Sequence, residues 1–349
     1  MTAPAILADD LTGALDTAAQ FTGRWGEIVV HLGAADRPLS PPCAVSSETR
    51  ELPRAEAAGR SLTAARSIAG GVTFRKIDSL LRGPWAAELA ALHRAGGFGI
   101  CVLAPAFPAQ GRVTRDGWQI VPGGPAIDIA ARLEAEGLRS GSAFRIGDAE
   151  SEADLAALVD RFAPEGPLWC GSAGLARALA GTPPQRPVLV PAPTLAVVGS
   201  DHPVTRGQME VFARPDPTGL QWLRPGDSSL PDPGWKGVTA VDFDLPAGTD
   251  RTGAAALIAA TLQRLPDRIP QPRRLVVTGG ATLASLLVAL GARRMRCLGE
   301  LAPGLPLSWI EDGAWPGVEV LSKSGAFGGP ATLARLCVDP AAIVANERF

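Results

Sequence analysis

Short apolar runs alternate along the chain with longer Ala- and Leu-rich stretches, whose apolar residues recur every three to four positions. The first pattern is that of strands buried on both faces, the second that of helices laid against them. Runs at 5–8, 28–32, 72–77, 100–104, 168–170, 195–199, 238–241 and 275–278 are expected strands. Expected helices cover 14–23, 54–69, 85–95, 152–162, 174–180, 205–212, 253–265, 282–290 and 330–336. Strand and helix in alternation predict an α/β fold with mainly parallel sheets. Gly83-Pro84 supports one helix start, because proline pre-sets the first helical turn.

The alternation breaks at 181–193, GTPPQRPVLVPAP, where five prolines make a stiff extended connector. Two domains are expected, 1–182 and 190–349. Residues 215–235 read as a long irregular loop inside the second. The uncharged stretch 275–292 approaches the length of a bilayer span. Thr278-Gly279-Gly280 divides it into strand, turn and helix, so no membrane segment is expected.

Composition narrows the function. With 349 residues, 46% of them hydrophobic and 19% charged, the chain can bury sizeable cores. A formal net charge of −2 supplies no basic excess for a phosphate backbone, which argues against nucleic acid as partner. Five cysteines lie far apart without a CxxC, and only three histidines accompany them. That argues against a structural zinc site and against a disulfide framework. The apolar start meets Asp9 and Asp10 early and has no basic flank, so a reduced, cytoplasmic location is expected.

Ligands of α/β sheets gather at the carboxyl ends of strands, so polar residues directly after apolar runs are the candidates. In ILADDLTGALD, Asp9, Asp10, Thr12, Gly13 and Asp16 follow the first run. Adjacent acids can hold Mg²⁺ or accept a hydroxyl proton, whereas helix capping needs only one of them. Strand alternation would send Asp9 and Asp10 to opposite sides. In FRKIDSLLRG, Lys76 and Arg82 could clamp a carboxylate, Ser79 lies in the loop between them, and Asp78 could take a proton. A surface Lys76–Asp78 pair is the plainer alternative. In APAFPAQGRVT, Gly111, Arg112 and Thr114 follow a Pro-rich turn, and spacing alone makes Arg112 an exposed hairpin arginine. The second half holds three strand–glycine–helix units, at Gly199-Ser200, Gly279-Gly280 and Gly325–Gly329. Such turns present backbone N–H groups to phosphates, although none is a GxxxxGK[ST] or GxGxxG sequence.

The blocks ADDLTGALDTA, KIDSLLRG, APAFPAQGRVT, GSAGLA, TGGATL, PGLPL and KSGAFGGP occur in that order over nearly the whole chain. Together they resemble the four-carbon acid sugar kinase family. The resemblance implies two α/β domains with an interdomain cleft, and ATP- and Mg²⁺-dependent phosphorylation of a hydroxyl on a small sugar acid such as threonate, erythronate or 3-oxo-tetronate. It places the sugar acid on the first domain; of the acids there, Asp9, Asp10, Asp16 and Asp78, position at the strand ends makes Asp10 and Asp78 the expected catalytic pair nearest the reacting hydroxyl. Asp9, Thr12, Gly13, Asp16, Lys76, Ser79, Arg82, Gly111, Arg112 and Thr114 would line that side. Ser200, Gly279, Gly280, Ala281, Thr282, Lys323, Ser324 and Gly325 would line the nucleotide side, with the metal ligands unassigned. The chain departs from the family pattern in three places. Ala281 stands where an acid is usual, Ser200-Asp201-His202 replaces a small polar run, and the segment after Arg112 is shortened. A non-catalytic sugar-acid sensor on the same fold, or a Rossmann-type oxidoreductase using Gly279-Gly280, are the alternatives. The expected partner is a small sugar acid, with self-association into a homo-oligomer left open.

Overall fold

The computed structural model describes residues 2–139, 141, 143–190, 192–213, 220–223, 237–241, 243, 245–246, 248–338 and 340. The chain divides into two compact units, the first ending at Gln185. The first unit contains β1 (Ala5–Ala8), β2 (Ile28–Leu32), β3 (Cys43–Ser46), β4 (Phe74–Lys76), β5 (Cys101–Ala104), β6 (Val113–Arg115), β7 (Trp118–Ile120), β8 (Ile127–Asp128), β9 (Phe144–Ile146) and β10 (Leu168–Gly171). Its helices are α1 (Leu11–Trp25), α2 (Arg54–Arg66), α3 (Trp85–Arg94), α4 (Ile129–Glu134), α5 (Glu152–Phe162) and α6 (Ala173–Ala180).

Seven of these strands form a parallel sheet in the order β2-β3-β1-β4-β10-β5-β9. β1, β3, β5 and β10 are buried at every position, as strands covered on both faces require. Ala5 and Leu7 share a core with Cys43 and Val45 beside Ala64 of α2 and Leu92 of α3. Alternation leaves the opposite face to α1, which packs on α6. β6, β7 and β8 form a small antiparallel sheet.

The second unit holds β11 (Thr194–Val198), β12 (Gln221–Leu223), β13 (Val238–Val241), β14 (Arg274–Thr278), β15 (Arg294–Ala302), β16 (Leu305–Ile310) and β17 (Glu319–Lys323). Its helices are α7 (Pro203–Phe212), α8 (Arg251–Gln263), α9 (Leu265–Arg268), α10 (Gly280–Ala289) and α11 (Thr332–Val338). The strand order is β12-β13-β11-β14-β17-β16-β15. The first five are parallel, and β16 runs antiparallel to both neighbours. The expected 215–235 loop lies outside the described residues except at 220–223, where β12 forms instead. No described helix is long and apolar enough to cross a membrane. All five cysteines are buried thiols.

Candidate active site

The register of the first sheet aligns its polar edge. Ala8 pairs with Ser46 on one side and with Lys76 on the other, so three strand ends are level. Two residues beyond that row stand Glu48, Asp10 and Asp78. Three chain segments distant in sequence thus deliver carboxylates to one edge.

Asp10 leaves the strand with extended backbone and caps α1, accepting hydrogen bonds from Gly13 N (2.8 Å) and Thr12 Oγ1 (2.8 Å). Its capping role and its place in the charged cluster coexist. Arg50, from the loop after β3, grips both neighbouring acids. Its Nε and Nη2 donate to Asp9 at 2.8 Å each, and its Nη1 and Nη2 donate to Asp10 at 2.5 and 2.7 Å. The expected divergence of Asp9 and Asp10 is therefore overturned. Regular strand geometry stops at Ala8, and one planar guanidinium holds both side chains.

Burial on its own would push the Asp9 carboxyl up, but the Arg50 charge and hydrogen bonds hold it below the usual carboxylate range. Asp78 behaves alike: burial is outweighed by the charges of Arg50 and Arg82 and by the Arg82 hydrogen bond. Arg82 Nε donates to Asp78 Oδ2 at 2.5 Å, while the arginine side chain is 49% exposed and open to a further anion. The alternative of a surface Lys76–Asp78 pair fails, because both residues are buried. A Cβ on Gly13 would stand 2.5 Å from Asp10 Oδ1 and 2.9 Å from Lys76 Nζ, so glycine is what lets the amine approach the capped turn.

Arg112 is not an exposed hairpin arginine. Its Nη1 donates to Ser79 Oγ at 2.5 Å, and burial holds it below the usual arginine range. Gln119 of β7 explains the placement, donating to Ser79 O at 2.8 Å. Thr114 donates to Gln119 Oε1 at 2.7 Å and is fully buried, so it braces this corner. Gly111 turns the chain just ahead of Arg112 with φ 67°. Asp16 lies one turn after Thr12 on α1, near enough for its charge to act on Arg112.

Beneath this edge lies a fully buried ion pair, Arg75 Nη2 to Glu88 Oε2 at 2.6 Å. Thr49 donates to Glu88, Arg75 Nη1 donates to Leu7 O at 3.3 Å, and Ser47 Oγ donates to Ala8 O at 2.8 Å. The loop that carries Glu48 and Arg50 is thereby braced against β1 from below.

The second unit gathers its glycine turns in the same manner. Gly279 N donates to Lys323 O at 3.0 Å and Gly199 N to Thr278 O at 3.3 Å, which draws three strand ends together. A Cβ on Gly199 would sit 2.1 Å from Thr282 Oγ1, and one on Gly325 would sit 2.0 Å from Ser200 Oγ. Gly279 precedes α10 with φ 100°, and no side chain caps that helix, so its first N–H groups are offered outward. Gly280, Ala281 and Thr282 form the helix's first turn, with Ala281 exposed. His202 caps α7 through Nδ1, which accepts from Val204 N at 3.2 Å. Thr205 and Gln208 of α7 donate to the carbonyls of Gly325 and Phe327 at 2.7 and 2.9 Å and hold the 325–329 loop. Lys323 is 1% exposed, and its amine reaches only Ser324 O (3.2 Å) and Phe327 O (3.4 Å) among the described contacts. Burial holds that ammonium down at about 8. Ser324, next to it, is exposed.

Arg50, Glu48 and Glu88 belong to the site region but escape a reading of the sequence. β3 is four residues long and follows a proline pair, so the polar residues after it carry no visible strand signal.

A two-unit α/β protein with a charged strand edge in one unit and a glycine cradle in the other has the form of a small-molecule phosphotransferase. Residues 4–135 match the family model described as sugar-binding N-terminal domain, and 237–333 match the one described as nucleotide-binding C-terminal domain. A D-threonate kinase of Cupriavidus necator is 33% identical, over 94% of this chain and 95% of its own length. A D-threonate kinase of Bordetella bronchiseptica is 28% identical, over 95% of each chain. A solved structure from Salmonella typhimurium LT2 shares the fold with a TM-score of 0.70 at 20% identity, over 95% of this chain and 98% of its own. The chain belongs to the four-carbon acid sugar kinase family.

Proposed function

We propose that this chain is an ATP-dependent kinase that phosphorylates a hydroxyl of a four-carbon sugar acid, with D-threonate the first substrate to test. The first unit binds the sugar acid and the second the nucleotide. The observation that carries this reading is the cradle around Lys323. Three glycine turns converge there, and among the described contacts a buried ammonium meets the carbonyl oxygens of Ser324 and Phe327. A triphosphate suits such a site, since phosphates take backbone N–H groups together with a lysine.

On the first unit, Arg82, Lys76 and Arg112 receive the substrate carboxylate, and Asp10 and Asp78 orient the reacting hydroxyl. Asp9, Thr12, Gly13, Asp16, Ser79, Gly111 and Thr114 shape or brace that edge. Ser200, Gly279, Gly280, Ala281, Thr282, Ser324 and Gly325 face the nucleotide with Lys323. Among the described residues no group of three His, Cys, Asp or Glu is placed to hold a metal. Mg²⁺ would arrive on ATP, because it keeps most of its waters and binds through phosphates with few protein ligands. Among the described residues, Ser200 and the exposed Asp201 would offer it oxygens, and the ion would neutralise charge on the transferred phosphoryl group. The free, buried thiols accord with a cytoplasmic setting.

The test is a coupled ADP-release assay on the full chain with D-threonate, D-erythronate and 3-oxo-tetronate, with and without Mg²⁺. Turnover with at least one acid is expected. Tight acid binding without ADP release would make the protein a sensor and end the kinase reading.

A further inference from the structure

We propose that Glu48 is the proton acceptor for the attacking sugar hydroxyl, a catalytic residue in addition to Asp10 and Asp78. The inference rests on the kinase reading above. It starts from the sheet register. Glu48, Asp10 and Asp78 each stand two residues past the level row Ser46–Ala8–Lys76, so Glu48 belongs to the same edge as the other two acids.

The three carboxylates differ in what occupies them. Asp10 already accepts from Gly13, Thr12 and twice from Arg50. Asp78 is locked by Arg82 and lies in the field of Arg50. Carboxylate oxygens so occupied can position a hydroxyl, and Asp78, held below the usual carboxylate range, is a poor proton acceptor. Glu48 receives only the Ser46 hydroxyl among the described hydrogen bonds, and it is half-buried rather than sealed.

Its backbone supplies an independent observation. Glu48 has φ 51°, one of three described non-glycine residues with positive φ. Glycine or asparagine would adopt that conformation at less cost. The strained turn is pinned on both sides by Ser47 N to Ala8 O (2.8 Å) and Thr49 N to Asp9 O (2.9 Å). The fold therefore holds a carboxylate where the backbone favours a different residue, a pattern that gathers at functional sites. The groups acting on Glu48 are Asp10 and Asp9 after β1, Arg50 in its own loop and the Ser46 hydroxyl of β3; His31 on β2 is paired in register with Val45. Burial foremost, then the charges of Asp10 and Asp9, pushes Glu48 up to about 7 against the pull of Ser46 and Arg50. A base near the working pH is the efficient kind.

The step balances. As the hydroxyl oxygen bonds to the γ-phosphorus of ATP, the bond from that phosphorus to the bridging oxygen breaks and its electron pair leaves with ADP. The hydroxyl proton passes to Glu48 Oε and then to solvent.

Glu48→Gly and Glu48→Gln test it on the full chain. Glycine suits φ 51°, so that variant keeps the fold, and its melting temperature should equal or exceed the wild type. With wild-type turnover established on a four-carbon acid, kcat should fall about 10²–10⁴-fold in both variants while KM for acid and ATP stays within a few-fold. The wild-type kcat should rise with pH through a limb near 7, which the variants lose. Formate should restore part of the Glu48→Gly rate and none of the Glu48→Gln rate. A near wild-type kcat with the limb retained, or a rise in KM alone, overturns the assignment. Absence of wild-type turnover with any four-carbon acid would instead overturn the kinase reading, and this inference with it.

Discussion

A Cβ placed on Gly325 would lie 2.0 Å from Ser200 Oγ, well inside any real contact. Two turns of the second unit meet there with room for hydrogen alone. Gly325→Val should force them apart, at about 1–3 kcal/mol for an overpacked contact. Affinity for a non-hydrolysable ATP analogue should then drop roughly 5- to 150-fold by titration calorimetry. An unchanged Kd would place the nucleotide elsewhere.

Lys323 should give the proposed nucleotide site a pH dependence. Its free ammonium titrates at about 8, below the usual lysine value of 10.5. Below about 8 the group is charged with and without nucleotide, so Kd should be flat. Above it the free protein must take up a proton to bind, and Kd should weaken by up to about tenfold per pH unit. Stability of the free protein has the opposite slope. The buried charge weakens the fold below pH 8, and that cost lifts as pH rises toward the usual lysine value. Lys323→Met should bind more weakly with a flat Kd profile. A steep profile in the variant would assign the titration to another group.

Arg50 is the charge partner of a buried acid. Removing it in Arg50→Met leaves Asp9, 1% exposed, without its main cation. Breaking such a pair costs about 3–5 kcal/mol, readable as a lower urea midpoint at pH 7. Asp9 and Asp78 are held below the usual carboxylate range. Their contribution is thus complete above the unfolded carboxylate value and is lost as pH falls through the folded ones. The gap between wild type and variant should narrow from pH 7 toward pH 3. A constant gap would show that the loss is one of packing.

Arg82→Lys should raise KM for the sugar acid and leave KM for ATP unchanged. Lysine retains the charge but loses the planar fork that holds Asp78 and, in the proposed reading, a substrate carboxylate together. A hydrogen bond to a charged group is worth about 1.5–3 kcal/mol, so KM should rise roughly 10- to 150-fold. A change confined to the ATP term would move Arg82 to the phosphates.

The parallel strands and their helices were legible because both faces of the sheet are covered, which makes β1 or β14 a plain apolar run. Asp9 and Asp10 followed such a run and were visible for that reason. Arg50 and Glu48 obey the same rule but follow β3, whose four residues gain their strand character from pairing between β2 and the more distant β1. The Arg75–Glu88 pair was hidden too, since nothing local marks an arginine in FRK as fully buried. The β15–β16 hairpin escaped notice because Arg294, Arg296 and Glu300 interrupt its apolar pattern and a register shift falls at Gly299. Strand alternation misjudged Asp9 and Asp10 because the strand ends one residue too soon for it to apply.

The place of β10 bears on how the chain is made. It lies between β4 and β5, yet the ribosome delivers it long after both. Until Leu168–Gly171 emerges, β4 and β5 cannot be bridged, and each leaves an edge of backbone N–H and C=O groups unpaired. At usual translation speeds that interval is on the order of seconds, ample time for aberrant pairing between nascent chains. Resistance of the nascent chain to such pairing should therefore come with the arrival of β10 rather than with completion of the edge that carries Asp10 and Asp78.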